Sequence, residues 1–356
     1  MRVALIGPVQ SGKSTLFAAV AAAGGSHVDL SRRDQPHLAV VKVPDDRLVW
    51  LTEQYHPKKT TPAELEFLDL PGFDLSDEAG RNRAKTHWPA MRNSDMLVLV
   101  VRAFEDTAVA AYRGRVDPQA DVQELLAELL FADLDQVIGR IAKLEASIKK
   151  PTAKRDEYLR EMELMKRLEA ALEAEKPISD AIGSEAEGKL VRSFAFLSQK
   201  PLLVVRNLSE DAVRGASEEA VGGVECLPLS AKIEEEIAEL PPEERGVFLA
   251  DLGASESARD RLIRACYRKL NLVSFLTTGE DEVRAWTIPA GADAVTAAGE
   301  IHSDIARGFI RAETVSYDDL RAAGDMKAAK AAGKIRLEGK TYVVRDGDII
   351  NFRFNV

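Results

Sequence analysis

Apolar residues follow three different periods along this chain. The first is the unbroken run. Val3-Ala4-Leu5-Ile6 precedes a glycine-bearing loop, and Leu16-Phe17-Ala18-Ala19-Val20-Ala21 follows it, which predicts a buried strand, a turn and a helix. A strand is predicted over Leu38 to Val43, and Pro44-Asp45-Asp46 starts a helix through Leu48, Leu51 and Tyr55. Glu64 to Asp69 reads as another strand, and Met96 to Val101 is apolar at every position, as in a strand covered on both faces. Strand and helix alternate, so a mostly parallel sheet is expected.

At Val122 the period becomes helical. Val122, Leu126 and Leu129 lead into Leu134, Val137, Ile141, Leu144 and Ile148, whose alternating steps of three and four make a coiled-coil seam. Lys149-Lys150-Pro151-Thr152-Ala153-Lys154-Arg155 breaks the pattern, and Tyr158, Met162, Met165, Leu168 and Leu172 begin a second helix. The two read as an antiparallel hairpin about 40 Å long, with a basic tip. Buried-strand patterns return at Pro201 to Leu208 and Val224 to Leu229, so the hairpin is an insertion within one α/β domain. A helix from about Arg259 to Leu270 leads out of it. Beyond Leu272 the third period appears. Val283 to Ile288 and Tyr342-Val343-Val344 alternate like half-exposed strands between glycine turns, which predicts a small α+β domain. The expected divisions are 1–118 and 191–271 for the α/β domain, 119–190 for the hairpin insertion and 272–356 for the last domain.

Composition narrows the partners. Across 356 residues, 46% hydrophobic and 30% charged content fits a packed core, and a net charge of −10 disfavours indiscriminate nucleic-acid binding. Local basic patches remain at the hairpin tip and at Lys327, Lys330, Lys334, Arg336 and Lys340, each open to reading as solvated surface or as an RNA contact. Cys226 and Cys266 form no CxxC pair and read as buried, inert thiols in a cytoplasmic protein. No 18-residue apolar run occurs, and no targeting segment is expected before the first strand.

The chemistry lies at the strand ends. Gly7-Pro8-Val9-Gln10-Ser11-Gly12-Lys13-Ser14-Thr15 fits G-x-x-x-x-G-K-[ST] between a strand and a helix, the setting in which backbone N–H groups cradle phosphates. Gly7, Gln10, Ser11, Gly12, Lys13, Ser14 and Thr15 are therefore assigned to the nucleotide, with Lys13 reaching the β- and γ-phosphates and Ser14 taking Mg²⁺. Asp69-Leu70-Pro71-Gly72 ends the Glu64 strand as D-x-x-G, so Asp69 is a second Mg²⁺ residue and Gly72 a γ-phosphate contact. Lys13, Asp69 and Gly72 form the catalytic set. No group is an obvious positioner of water; His87 and Glu78 fall in the loop after Gly72 and read as solvent-exposed.

These motifs, with Glu282-Val283-Arg284-Ala285-Trp286-Thr287, Gly308-Phe309-Ile310-Arg311-Ala312-Glu313 and the ending Asp346-Gly347-Asp348-Ile349-Ile350-Asn351-Phe352, carry a resemblance to the Obg-like ATPases, the YchF subfamily of translation-factor-class P-loop NTPases. It runs the length of the chain. It implies a GTPase-like P-loop domain with an inserted helical hairpin, followed by a TGS-like β-grasp domain associated with ribosome or RNA contact. It also implies that Asn207-Leu208-Ser209-Glu210 takes the place of the guanine-reading N-K-x-D motif in the form of the ATP-preferring subfamily. On that basis Asn207, Leu208 and Glu210 face the base, backed by Ser230, Ala231 and Lys232; ATP is the expected nucleotide, with GTP the alternative. Three departures stand out: Gln10 replaces the family's asparagine, Arg33 occupies the switch-I threonine position, and the glycine-rich run after Gly72 is missing. The expected activity is slow NTP hydrolysis by a switch acting on ribosomes or another RNA–protein partner. The alternative is a nucleotide-stabilised binding module without useful turnover.

Overall fold

The computed structural model describes residues 1–23, 32, 34–151 and 153–355. Arg33 lies outside the described residues. In chain order the elements are β1 (Arg2–Ile6), α1 (Lys13–Ala23), β2 (His37–Lys42), α2 (Asp46–Tyr55), β3 (Lys59–Thr61), β4 (Glu64–Asp69), α3 (Glu78–Lys85), α4 (Trp88–Arg92), β5 (Met96–Ala103), α5 (Pro118–Ile148), α6 (Arg155–Glu173), α7 (Glu185–Arg192), β6 (Leu202–Leu208), β7 (Cys226–Leu229), α8 (Ala231–Glu239), α9 (Pro242–Asp251), α10 (Ala258–Lys269), β8 (Leu272–Thr277), β9 (Glu282–Pro289), α11 (Ala294–Ile301), α12 (Ser303–Arg307), β10 (Phe309–Ser316), α13 (Tyr317–Ala323), α14 (Met326–Ala331), β11 (Arg336–Glu338) and β12 (Asp348–Phe354). No helix of the described residues is long and apolar enough to cross a membrane.

One six-stranded sheet runs β2-β4-β1-β5-β6-β7. The apolar runs sit where the sequence pattern puts them: β1 pairs with β5, β5 with β6 and β6 with β7, all parallel. Parallel neighbours bring all four C-terminal ends to one edge of the sheet, the edge at which α/β folds bind ligands.

The hairpin is built on one unbroken helix. Helix α5 has 31 residues, about 45 Å at 1.5 Å per residue. Its first turns place Val122, Leu125, Leu129 and Ala132 in the core beside β5 and β6. Its second half places Val137 and Leu144 in a separate core with Met162, Met165, Leu168 and Leu172 of α6. Asp133, fully buried between the two, accepts bonds from Arg92 Nη1 (2.7 Å), Leu197 N (2.9 Å), Ser198 N (2.8 Å) and Ser198 Oγ (2.8 Å).

By its contacts the chain divides into two compact units, one holding Met1–Ala22 and Phe67–Ser255, the other Val40–Glu66 and Glu256–Val356. The sequence divisions place residues 40–66 with the α/β domain and begin the last domain at 272, so the grouping by contact differs at both points. The physical reason is local. β3 pairs in parallel with β9 through Lys59–Glu282 to Thr61–Arg284, and Arg47 bonds Asp45 Oδ1 (2.9 Å) and Asp346 Oδ2 (2.7 Å).

The second unit carries a sheet ordered β11-β10-β12-β8-β9-β3. Two antiparallel pairs, β8–β9 and β10–β12, meet through the parallel contact of β12 with β8. Ala294, Ala297 and Ala298 of α11 pack on Phe275, Ile288 and Phe352 of this sheet. A helix crossing a mixed sheet in which β8 and β12, the first and last strands of the C-terminal segment, lie side by side is the β-grasp arrangement. Tyr342-Val343-Val344, expected as a strand, is irregular instead. Its backbone is satisfied by isolated bonds, Ala294 N to Tyr342 O (2.8 Å) and Val344 N to Ala292 O (3.0 Å), so no ladder forms.

Candidate nucleotide site

The loop between β1 and α1 is shaped by close approaches. A Cβ on Gly7 would lie 2.2 Å from the Val100 carbonyl oxygen, and one on Gly12 would lie 2.0 Å from Asn207 Nδ2 with the backbone at φ +85°. Side chains are excluded at both positions. Gln10 adopts φ 62°, a left-handed conformation that asparagine tolerates more readily and that costs other residues about 1–2 kcal/mol.

Lys13 opens α1 and Asp69 closes β4, and their side chains form a buried ion pair, 5% and 3% exposed as residues. Ser14 Oγ donates to Asp69 Oδ2 at 3.0 Å. Burial lowers the Lys13 pKa, and the charge and hydrogen bond of Asp69 oppose that shift. Ser11 Oγ is buried without a hydrogen-bond partner, a condition that costs about 1–3 kcal/mol and that a phosphate oxygen would relieve. Thr15 is half-buried in the same turn. The orphaned hydroxyl, the lysine and the helix N-terminus fit a phosphate chain. Among the described residues no group of three or more His, Cys, Asp or Glu could hold a metal. Ser14 and Asp69 would offer Mg²⁺ one hydroxyl and one carboxylate, the oxygen donors that this cation takes.

The segment after Asp69 lies against this loop. Val9 N donates to Phe73 O at 3.0 Å and Phe73 N to Gly7 O at 2.9 Å, while Gly72 packs on Val9. Phe73 is 1% exposed, with His87 stacked on it at 6.4 Å and Trp88 edge-on at 5.8 Å. The sequence expectation for the two candidate water positioners changes accordingly. Glu78 is the exposed first residue of α3, whereas His87 is half-buried just before α4. Burial first, and then the positive charge of Lys13, hold the His87 pKa below its ordinary 6.5. The unfolded chain therefore takes up a proton that the folded imidazole refuses. His87 contributes a stability loss that grows as pH falls through 6.5 and levels off below the folded pKa. An NMR titration of His87 is expected to give a midpoint below 6.5; a midpoint above it would contradict this environment.

At the other end of the site Asn207, 4% exposed, links two elements: its Nδ2 donates to Ser11 O at 2.9 Å and its Oδ1 accepts from Ala231 N at 2.9 Å. Leu208 is half-buried at the end of β6, and the buried Ser230 precedes α8. Glu210 is exposed and accepts from Lys232 Nζ at 2.5 Å. The arrangement thus brings together Lys13, Ser14 and Asp69 at one end and Asn207, Glu210 and Lys232 at the other. Sequence spacing did not reveal that Asn207 spans the phosphate loop and the α8 N-terminus, because that role depends on residues 196 and 24 positions away.

Comparison with known proteins accords with this geometry. A family model described as a 50S ribosome-binding GTPase matches residues 2–138, and the YchF-GTPase C-terminal model, described as a protein of unknown function, matches residues 272–355. The ribosome-binding ATPase YchF of Bacillus subtilis is 44% identical, covering 99% of this chain and 98% of its own. The chain belongs to the YchF family. Obg-like ATPase 1 of Oryza sativa is 34% identical over 100% of this chain and 92% of its own. The YchF fold extends to a solved structure, the Schizosaccharomyces pombe YchF GTPase, with a TM-score of 0.82 at 29% identity over 99% of this chain and 97% of that one.

Proposed function

We propose that this protein is a ribosome-binding ATPase that uses nucleotide state to control its partner. The observation that carries the reading is the buried cluster of Lys13, Asp69 and Ser14 at the sheet's C-terminal edge. Lys13 would leave Asp69 for the β- and γ-phosphates, where a buried cation counters the charge of the transferring group. Ser14 and Asp69 would hold Mg²⁺, which supplies Lewis-acid neutralisation of the phosphate oxygens when bound. Gly72, beside the loop, would offer its N–H to the γ-phosphate. Asn207, Leu208 and Glu210 would line the base, with Ser230, Ala231 and Lys232 behind it.

The relatives' names divide on the nucleotide, ATPase for the Bacillus subtilis protein and GTPase for the Schizosaccharomyces pombe structure. The Glu210–Lys232 contact favours ATP. A guanine-reading carboxylate must present both oxygens to the base, whereas Glu210 is turned to a neighbouring ammonium. The ribosome reading draws on the relatives' names and on two exposed basic sites. These are the hairpin tip, with Lys149, Lys150, Lys154 and Arg155, and Lys327, Lys330 and Lys340 in the second unit. Of the other two cations there, Lys334 is paired with Asp319 (2.9 Å) and Arg336 with Glu338 (3.1 Å). A protein of this kind works in the cytoplasm.

The test is co-sedimentation with ribosomes across a salt series, in ADP or a non-hydrolysable ATP analogue, with GTP as competitor. Binding is expected to be stronger with the analogue, and neutralising the four tip cations should lower the salt slope by up to about four units. A parent that pellets with ribosomes in neither state rules out the ribosomal role, and a tenfold preference for GTP rules out the ATP assignment.

A further inference from the structure

The segment that follows Gly72 is held from outside the nucleotide site, and the holding groups come from one short stretch and one helix. Leu75 lies two residues past Phe73, in irregular backbone with no sheet ladder to satisfy it. Both of its main-chain groups are bonded by side chains: Leu75 N donates to Tyr112 Oη at 3.2 Å, and Arg113 Nη2 donates to Leu75 O at 3.0 Å. Tyr112 and Arg113 in turn converge on a single carboxylate of α5. Tyr112 Oη donates to Glu124 Oε2 at 3.1 Å and Arg113 Nε to the same oxygen at 3.0 Å, while Arg113 Nη2 pairs with Glu124 Oε1. Arg113 is placed there by a left-handed turn, φ 52°, that a non-glycine residue keeps only where its surroundings dictate it.

The rest of the segment runs along the same helix. Arg81 of α3 pairs with Glu128 at 3.4 Å and Lys85 with Asp135 at 3.8 Å, and Arg92 of α4 reaches the buried Asp133. Glu124 and Glu128 are one turn apart on one face, with Asp135 two turns further on, so α5 presents a row of carboxylates to a row of cations. The exposed pairs hold little by themselves. The Leu75 contacts differ, because Tyr112 is 7% exposed and its hydroxyl is both acceptor for the segment and donor to the helix. Burial and the neighbouring Glu124 charge raise the Tyr112 pKa, so this hydroxyl keeps its proton at physiological pH.

We infer that Tyr112, Arg113 and Glu124 are positioning residues for the hydrolytic reaction: they fix the backbone that carries Gly72 and Phe73 against the phosphate loop, and through Glu124 they make that position depend on helix α5. None of the three is placed at the phosphates. Their effect is exerted through Leu75 and Phe73, and displacing reacting groups by about 1 Å can cost on the order of a hundredfold in rate. The inference rests on the ATPase reading above.

The test uses the full-length protein with Tyr112→Phe, which removes one hydroxyl and keeps the buried ring, and with Glu124→Gln, which keeps shape and removes charge. Two quantities are read. The first is steady-state ATP hydrolysis, where kcat is expected to fall about tenfold with KM within about twofold of the parent. The second is amide hydrogen exchange over residues 70–80 in ADP and in a non-hydrolysable ATP analogue. The analogue is expected to protect this segment in the parent and not in the variants. A parent without turnover counts against the ATPase reading, and exchange then decides alone: protection lost in the variants supports the clamp. Parent-like exchange in both variants, or a folded Tyr112→Phe protein with the parent's kcat, overturns it.

Discussion

Replacing Lys13 by alanine is expected to weaken ATP binding by about two to three orders of magnitude, the largest effect anticipated for any single substitution. Losing a buried cation that faces a buried anion costs about 3–5 kcal/mol, and each 1.4 kcal/mol is tenfold in affinity. The same substitution should destabilise the nucleotide-free protein, because among the described residues Asp69 keeps only the Ser14 hydroxyl as partner at 3% exposure. The two losses can be separated. In Lys13→Ala/Asp69→Asn the orphaned charge is gone, so the melting temperature should recover while ATP affinity does not. Equilibrium titration with a fluorescent ATP analogue, beside thermal melts, reads both quantities. A folded single variant that binds ATP like the parent would remove Lys13 from the phosphate site.

Asn207→Ala is the second large effect, expected in stability as well as binding. The amide satisfies Ser11 O and Ala231 N together, and Ala231 is 1% exposed, so truncation leaves buried main-chain groups without partners. At about 1–3 kcal/mol for each, the loss amounts to roughly 2–6 kcal/mol, or a fall of about 4–24 °C in melting temperature for a unit of this size. ATP affinity should drop with it, since the phosphate loop loses its tie to the N-terminus of α8. An unchanged melting temperature would mean that water or a shifted backbone replaces the amide.

Much of this site was legible in the sequence, and the reason is geometric. A phosphate loop must follow a buried strand and open a helix, so Gly7 to Thr15 announces its own surroundings. Asp69 ends β4 and Asn207 lies one residue before the end of β6, and both strands belong to one sheet. The clamp was not legible. Tyr112, Arg113 and Glu124 are ordinary polar residues in a loop and on a helix face, and only folding sets them beside Leu75. His87 was hidden for a similar reason: its ring stacks on Phe73, a contact that spacing along the chain does not show. Strand β3 escaped notice because Lys59-Thr60-Thr61 has no apolar alternation; it is recruited by pairing with β9. Conversely, Tyr342-Val343-Val344 has the alternation without a partner strand, and propensity alone does not make a ladder.

The continuous helix α5 has a consequence for how the chain finds its fold. β5 ends at Ala103 and β6, its neighbour in the sheet, begins only at Leu202. Closing so long an excursion as free chain would slow the pairing, although its entropic cost grows only with the logarithm of its length. The excursion is not free chain: α5 and α6 meet through contacts within the hairpin, and Asp133 binds the backbone at Leu197 and Ser198, five and four residues before β6 starts. With the hairpin folded, the chain left to close is the stretch from Phe104 to Asp117 and the gap from Ser198 to Leu202 rather than the whole insertion. The inserted hairpin is thus also a splint for the second half of the sheet it interrupts.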